Sequence, residues 1–106
     1  MSSAPPALVG ALTLAEAEEV PLAERELPGS TYDLLLRAAA TWPDEVASTW
    51  LADPRRPEVV RTLTHAETAV AVTRLANALV RLGVRRGDAV TLCSPNVSGL
   101  WVATLA

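Results

Sequence analysis

The residues with the strongest intrinsic chemistry in this sequence are few and scattered. His65 and Cys93 are its only imidazole and thiol groups, and Ser94 follows the thiol directly. A catalytic serine of the elbow type needs a G-x-S-x-G turn and a histidine oriented by a carboxylate, and neither accompanies Ser94. A metal ion needs several His, Cys or carboxylate ligands that converge. We therefore predict no catalytic residue and no metal-ligating residue in this chain.

A nucleotide phosphate loop is not predicted either. Such a loop clusters glycines, so that backbone N–H groups approach the anion, and often adds a lysine. The sequence has no lysine, and its five glycines do not cluster in this way. We thus predict no cofactor-binding residue. The motif RRGD (85–88) resembles an adhesion signal, but a turn between a helix and a strand explains the same letters.

Composition limits the class of protein. The chain has 106 residues, half of them hydrophobic, and a net charge of −3. This content favours a folded domain over disorder, and the acidic balance argues against nucleic-acid binding. One cysteine permits no intrachain disulfide, which suits a cytoplasmic protein. The start has no basic leader, and ALVGALTLA (7–15) is too short to cross a membrane, so no transmembrane segment is predicted.

The first third of the chain is predicted to contain two helices. Residues 1–29 form a lead-in segment that is partly flexible, with a mobile start at SSAPPA (2–7). Thr13 and Glu16 have capping-box spacing, which predicts a short helix before Pro21. A second helix begins near Ser30 or Thr31 and ends at Trp42-Pro43. Its apolar stripe is Tyr32, Leu35, Leu36 and Ala39.

A strand pair and a long helix are predicted next. EVASTWLA (45–52) and EVVRTLT (58–64) are rich in β-branched and aromatic residues, which predicts two short strands, interpreted as antiparallel. Thr64 and Glu67 form a second capping box, and Gly83 is the expected helix stop, with Val84 placed for the accompanying apolar contact. The predicted buried face of this helix is Ala69, Val72, Leu75, Ala76, Leu79 and Leu82.

The last elements are predicted to be a buried strand and a helix. AVTLC (89–93) is almost continuously apolar, as in parallel strands covered on both faces, so Cys93 is expected to be buried. Asn96 can cap a final helix, which Gly99 weakens. That helix is still apolar at Ala106, which predicts that the chain is truncated. The fold class is therefore α/β: a short strand pair, helices and one strand of the parallel-sheet type.

RLANAL (74–79), LGV (82–84), GD (87–88) and PN (95–96) follow one another in a recognisable order. With them, residues 30–106 resemble the opening of the adenylate-forming enzymes, the acyl-CoA synthetase (AMP-dependent synthetase/ligase) superfamily. The lead-in, AEAEEVPLAERELPGSTYDLLLRAAA (15–40), further resembles a bacterial branch of fatty-acyl-CoA synthetases. The resemblance implies that residues 30–106 begin the AMP-binding domain.

The resemblance also implies a function for the parent protein. Such enzymes convert a fatty acid, ATP and coenzyme A, with Mg²⁺, into acyl-CoA, AMP and diphosphate, using motifs that lie downstream of the matched stretch. The chain alone is then expected to be inactive and to bind none of these cofactors. Its partner would be the rest of the adenylation domain. The alternative is a free-standing α/β module that docks a partner through its acidic lead-in or its exposed apolar helix.

Overall fold

The computed structural model describes residues 13–106. It contains, in chain order, the helix α1 (Leu14–Glu19), a 3-10 turn (Leu22–Glu24), the helix α2 (Thr31–Thr41), the strands β1 (Val46–Leu51) and β2 (Val60–Thr64), and the helices α3 (His65–Arg81) and α4 (Ser98–Leu105). The α/β fold class is confirmed. The mobile start predicted at SSAPPA lies outside the described residues.

The predicted helix starts are confirmed by their caps. The Ser30 hydroxyl accepts a hydrogen bond from the backbone N–H of Asp33 at 3.0 Å, which begins α2. At α3, the backbone N–H of Glu67 donates to the Thr64 hydroxyl (3.1 Å), and the Glu67 carboxylate accepts from the backbone N–H of Thr64 (2.9 Å). Each cap satisfies N–H groups that lack a partner within the helix.

The strand pair is antiparallel, as predicted. Ser48 lies opposite Leu63 and Trp50 lies opposite Arg61, with an irregularity in register between Val46 and Ser48. β2 leads without a linker into α3, because its last residue is also the N-cap of the helix. The backbone N–H of His65 donates to the carbonyl of Glu45 (3.0 Å), which ties the start of α3 to the residue before β1.

The core lies at the N-terminal half of α3, which packs against α2, α4 and the strand pair. Val72 is fully buried and Ala69 is 8% exposed. Thr68 is also buried, and its hydroxyl donates to the carbonyl of Thr64 at 2.8 Å, so no polar atom is left unsatisfied there. The hydroxyls of Tyr32 and Thr73 join α2 to α3 through a 2.8 Å hydrogen bond.

Part of the predicted stripe on α3 is less buried than expected. Leu75, Ala76 and Leu79 are half-buried, and Leu82 is 81% exposed. The placement of Leu82 in the buried face was therefore wrong. Leu82 is the C-cap, and the chain reverses at the next residue, so its side chain lies beyond the last turn that packs on a neighbour.

The strand predicted at residues 89–93 is not formed, and Cys93 is exposed rather than buried. A strand requires a neighbour to accept and donate its backbone hydrogen bonds, and residues 13–106 provide none for this segment. Asn96 is not the cap of α4 either. Val97 occupies that position without a side-chain hydrogen bond, while the carbonyl of Asn96 accepts from the indole of Trp50.

Candidate functional site

The three residues with reactive side chains do not form a site. His65 is the first residue of α3, Cys93 is exposed, and the Ser94 hydroxyl donates to the carbonyl of Pro95 at 2.9 Å. Within residues 13–106, no three His, Cys, Asp or Glu side chains lie together in a way that would hold a metal ion. The prediction that the chain carries no catalytic or ligand-binding residue stays a prediction.

The most distinctive feature is instead an open apolar groove of about 460 Å³, called here the α3–α4 groove. It lies between the C-terminal half of α3, the segment 84–92 and the end of α4. Its lining residues are Leu75, Leu79, Val84, Val90, Leu92, Ala103, Thr104 and Ala106. None of these side chains carries a charge, and the one hydroxyl, on Thr104, already donates to the carbonyl of Leu100 (2.8 Å). The side chains of the groove therefore offer apolar contact and no charged group.

The C-terminus of α3 positions one wall of this groove. The backbone N–H of Gly83 donates to the carbonyl of Val80 (3.1 Å), and that of Val84 donates to the carbonyl of Leu79 (3.1 Å). These two bonds form the Schellman motif, which needs a left-handed residue, and Gly83 has φ +97°. Val84 consequently lies beside Leu79 on the groove, as its sequence position predicts.

The RRGD turn then directs the chain back along the groove. The Asp88 carboxylate accepts from the backbone N–H of Arg85 (2.7 Å), and the backbone N–H of Asp88 donates to the Arg85 carbonyl (3.0 Å). The Arg85 guanidinium donates to the carbonyls of Val80 and Val84, both at 3.0 Å. The side chains of Arg85 and Asp88 are thus used to close the turn, which supports the interpretation as a connection.

A second, smaller cleft of about 390 Å³ separates β1 from the start of α4. Trp50 and Trp101 both line it, and the Trp50 indole N–H donates to the Asn96 carbonyl at 2.8 Å. This bond joins residues 46 positions apart. Sequence analysis missed it, because an aromatic residue in a strand gives no signal of which distant carbonyl its N–H meets.

In the lead-in, the charged side chains described here bond to residues close to them in sequence. The Thr13 hydroxyl and backbone N–H both donate to the Glu16 carboxylate at 2.7 Å. These bonds, the side-chain one foremost, hold the pKa of Glu16 below its ordinary value of 4.5. The guanidinium of Arg25 donates to the Val20 carbonyl (2.8 Å). The confirmed helix α1 is therefore organised by its own capping box.

None of the helices in residues 13–106 is both long enough and apolar enough to cross a membrane. The arrangement as a whole is a capped helix, a strand pair and a groove whose walls are apolar. An apolar groove of this kind can pack against another segment of polypeptide.

Comparison with known proteins identifies one family and several relatives. The family described as AMP-binding enzyme matches residues 35–106. The acetyl-coenzyme A synthetase of Syntrophus aciditrophicus is 40% identical over 76 residues, which are 72% of this chain and 11% of that protein. That of Phycomyces blakesleeanus is 40% identical over 83 residues (78% and 12%), and that of Vibrio vulnificus 46% over 63 (59% and 9%). The chain spans about a tenth of the length of these relatives. No solved structure matches it.

Proposed function

The chain belongs to the AMP-binding enzyme family, and we propose that it supplies scaffold for an ATP-dependent acyl-CoA synthetase. In the proposed reaction, a carboxylate oxygen attacks the α-phosphorus of ATP and pyrophosphate leaves. The thiolate of coenzyme A then attacks the carbonyl carbon of the acyl-adenylate, and AMP leaves as the thioester forms. Mg²⁺ would neutralise phosphate charge in the first step. A cytoplasmic location, suggested by the single cysteine, is part of the proposal.

The observation that carries this proposal is the family match over residues 35–106, which include α3, the α3–α4 groove and most of α2. These are packing elements. Transfer of the adenylyl group needs cationic groups arranged around the phosphates of ATP, and the side chains that line the groove supply none. We therefore propose that ATP, Mg²⁺ and coenzyme A bind to the remainder of the enzyme and that the chain alone is inactive.

The identity of the acyl group is a more specific part of the proposal. The lead-in resembles fatty-acyl-CoA synthetases, whereas the curated relatives named above are acetyl-coenzyme A synthetases. We propose a carboxylic acid as the substrate class. Acetate is the first member to test, because each relative named above is called an acetyl-coenzyme A synthetase. Specificity for a fatty acid stays a prediction.

A graft tests the scaffold role. The aligned 76 residues of the Syntrophus aciditrophicus enzyme are replaced by the matching residues of this chain. We expect the rate of acetyl-CoA formation to lie within about tenfold of the rate of the parent enzyme. This corresponds to a change of about 1.4 kcal/mol in activation free energy, and it is small because the transferred residues are proposed not to touch the reacting atoms. The same graft with Val72→Asp is the control, and it should be inactive because a buried unpaired charge prevents packing.

A folded graft that is as inactive as the control would contradict the proposal. The chain alone should release no pyrophosphate above a blank with ATP, acetate or palmitate, and coenzyme A. Release above the blank would show that residues of this chain do the chemistry themselves. The alternative of a free-standing interaction module is not favoured, because the family match accounts for α3 and the groove together.

A further inference from the structure

The start of α4 differs from the starts of the other α-helices in residues 13–106. Thr13, Ser30 and Thr64 each cap their helix through a side-chain oxygen, whereas the N-cap of α4 is Val97, which makes no side-chain hydrogen bond. α4 has eight residues and includes Gly99, and a helix of this length is marginal in water by itself. A contact from outside α4 must therefore help to determine where it begins.

A hydrogen bond from the strand pair meets the backbone directly before this start. The indole N–H of Trp50 donates to the carbonyl of Asn96 at 2.8 Å, and Asn96 precedes Val97. Trp50 lies in β1 and is paired with Arg61 of β2, so the donor belongs to a sheet and not to a loop. Within residues 13–106, no other side-chain hydrogen bond connects the strand pair with α4 or with the turn before it.

The position of the accepting carbonyl explains how this bond acts on α4. An N-cap residue has an extended backbone, from which the chain turns into the helix, and Val97 has φ −127° and ψ 162°. The carbonyl of Asn96 belongs to the peptide that joins Asn96 to Val97, so the bond from Trp50 fixes the orientation of that peptide. The bond supplies no acceptor for the first N–H groups of α4, which a side-chain cap would supply.

The strand pair and α4 both pack against α3, and the bond from Trp50 to Asn96 connects them directly. We infer that Trp50 takes the place of a side-chain cap: its bond to Asn96 keeps the first turn of α4 wound, and that turn unwinds when the strand pair moves away from it. The order of α4 is in this way conditional on a strand residue 46 positions from the accepting carbonyl.

The first test compares the indole N–H groups of the three tryptophans in the full 106-residue chain by NMR hydrogen exchange. Trp42 and Trp101 are 43% and 46% exposed, and their indole N–H groups donate to no residue within 13–106. We expect the indole N–H of Trp50 to exchange about three- to tenfold more slowly than either, a factor that one net intramolecular hydrogen bond supplies. Equal exchange of the three would overturn the inference, in a folded or an unfolded chain.

Two variants separate the hydrogen bond from the size of the ring. Trp50→Phe keeps an aromatic ring and removes the N–H, and Trp101→Phe makes the same change in the other tryptophan that lines the cleft. We expect Trp50→Phe to speed amide exchange at Val102 and Ala103, which follow the first turn of α4, by about three- to tenfold. Trp101→Phe should change it by less than about twofold. Exchange at the buried Val72 measures the core, and equal acceleration there and in α4 would overturn the inference.

A local cap should replace the bond from the strand pair. Val97→Thr adds a hydroxyl that can accept from a first-turn N–H of α4, at a position that already has the backbone of an N-cap. In the Trp50→Phe chain, we expect Val97→Thr to recover most of the lost protection at Val102 and Ala103. In the unsubstituted chain, the gain should be less than about twofold, because Trp50 already fixes the start of α4.

The pattern of rescue decides whether Trp50 and a cap act on the same start of α4. Rescue confined to the Trp50→Phe chain would support the inference. Equal gains from Val97→Thr in both chains, or no gain in either, would overturn it, because the two changes would then be uncoupled. Equal acceleration by Trp50→Phe and Trp101→Phe would also overturn it, because the ring and not the N–H would then hold α4. If Trp50→Phe does not fold, the comparison of the three indoles in the unsubstituted chain decides.

Discussion

The same Val→Ala substitution can be made at a buried and at an exposed position of α3, which tests where the core lies. Val72 is 0% exposed and Val80 is 57% exposed, and both lie in α3. Val72→Ala removes two methyl groups from the centre of the core. Their transfer is worth about 0.8 kcal/mol each, and a residual cavity adds to that, so we expect a loss of about 1.5–3 kcal/mol in the free energy of unfolding.

Val80→Ala is the matched control, because it changes helix propensity by the same amount without opening a cavity. Its effect should lie within about 0.5 kcal/mol of zero. Urea unfolding followed by circular dichroism at 222 nm measures both variants, in the chain or in the graft. With a slope of about 1–2 kcal/mol/M, the midpoint of Val72→Ala should fall by roughly 0.8–3 M. Equal midpoints for the two variants would refute the placement of the core at this face of α3.

Three further predictions concern the ends of helices. Gly83→Ala should destabilise the chain by about 1–2 kcal/mol in the same urea experiment, because φ is +97° there. Gly99→Ala, in α4 with open space around an added Cβ, should increase the free energy of unfolding by about 0.5–1 kcal/mol. Stability changes of the same sign at Gly83 and Gly99 would contradict the backbone conformations assigned to them. The pKa of Glu16 is lowered by folding, so its contribution to α1 is complete above the ordinary value of 4.5 and is lost as pH falls through the lower folded pKa. A carboxyl NMR titration should show this, and Thr13→Val should move the pKa back toward 4.5; an unchanged pKa would exclude the hydroxyl as its main cause.

The structure explains why a well-ordered stretch of sequence contains so little chemistry. Capping boxes, the Schellman stop and the Arg85–Asp88 turn all fix where backbone elements begin and end. The side chains that these devices position are Val84, Val90 and Leu92, which offer only apolar contact. This combination of exact local geometry and uncovered apolar surface is the one expected of the scaffold proposed above.

The sequence determined the local elements of this chain. The caps at Ser30 and Thr64, the helix stop at Gly83 and the antiparallel strand pair were all predictable, because each depends on hydrogen bonds or φ values within a few residues. The α/β class followed from the order of these elements, and the family from the resemblance carried by RLANAL (74–79), LGV (82–84), GD (87–88) and PN (95–96). No signal of comparable strength existed for contacts between distant residues.

Tertiary structure decided what each apolar residue contacts. Leu82 and Cys93 belong to apolar patterns yet are exposed, because burial requires a neighbouring element that covers the side chain and residues 13–106 leave both uncovered. The same reason leaves residues 89–93 unpaired, because a parallel strand takes its hydrogen bonds from another strand and not from its own sequence. The bond from Trp50 to Asn96 likewise exists only because folding brings β1 beside the start of α4.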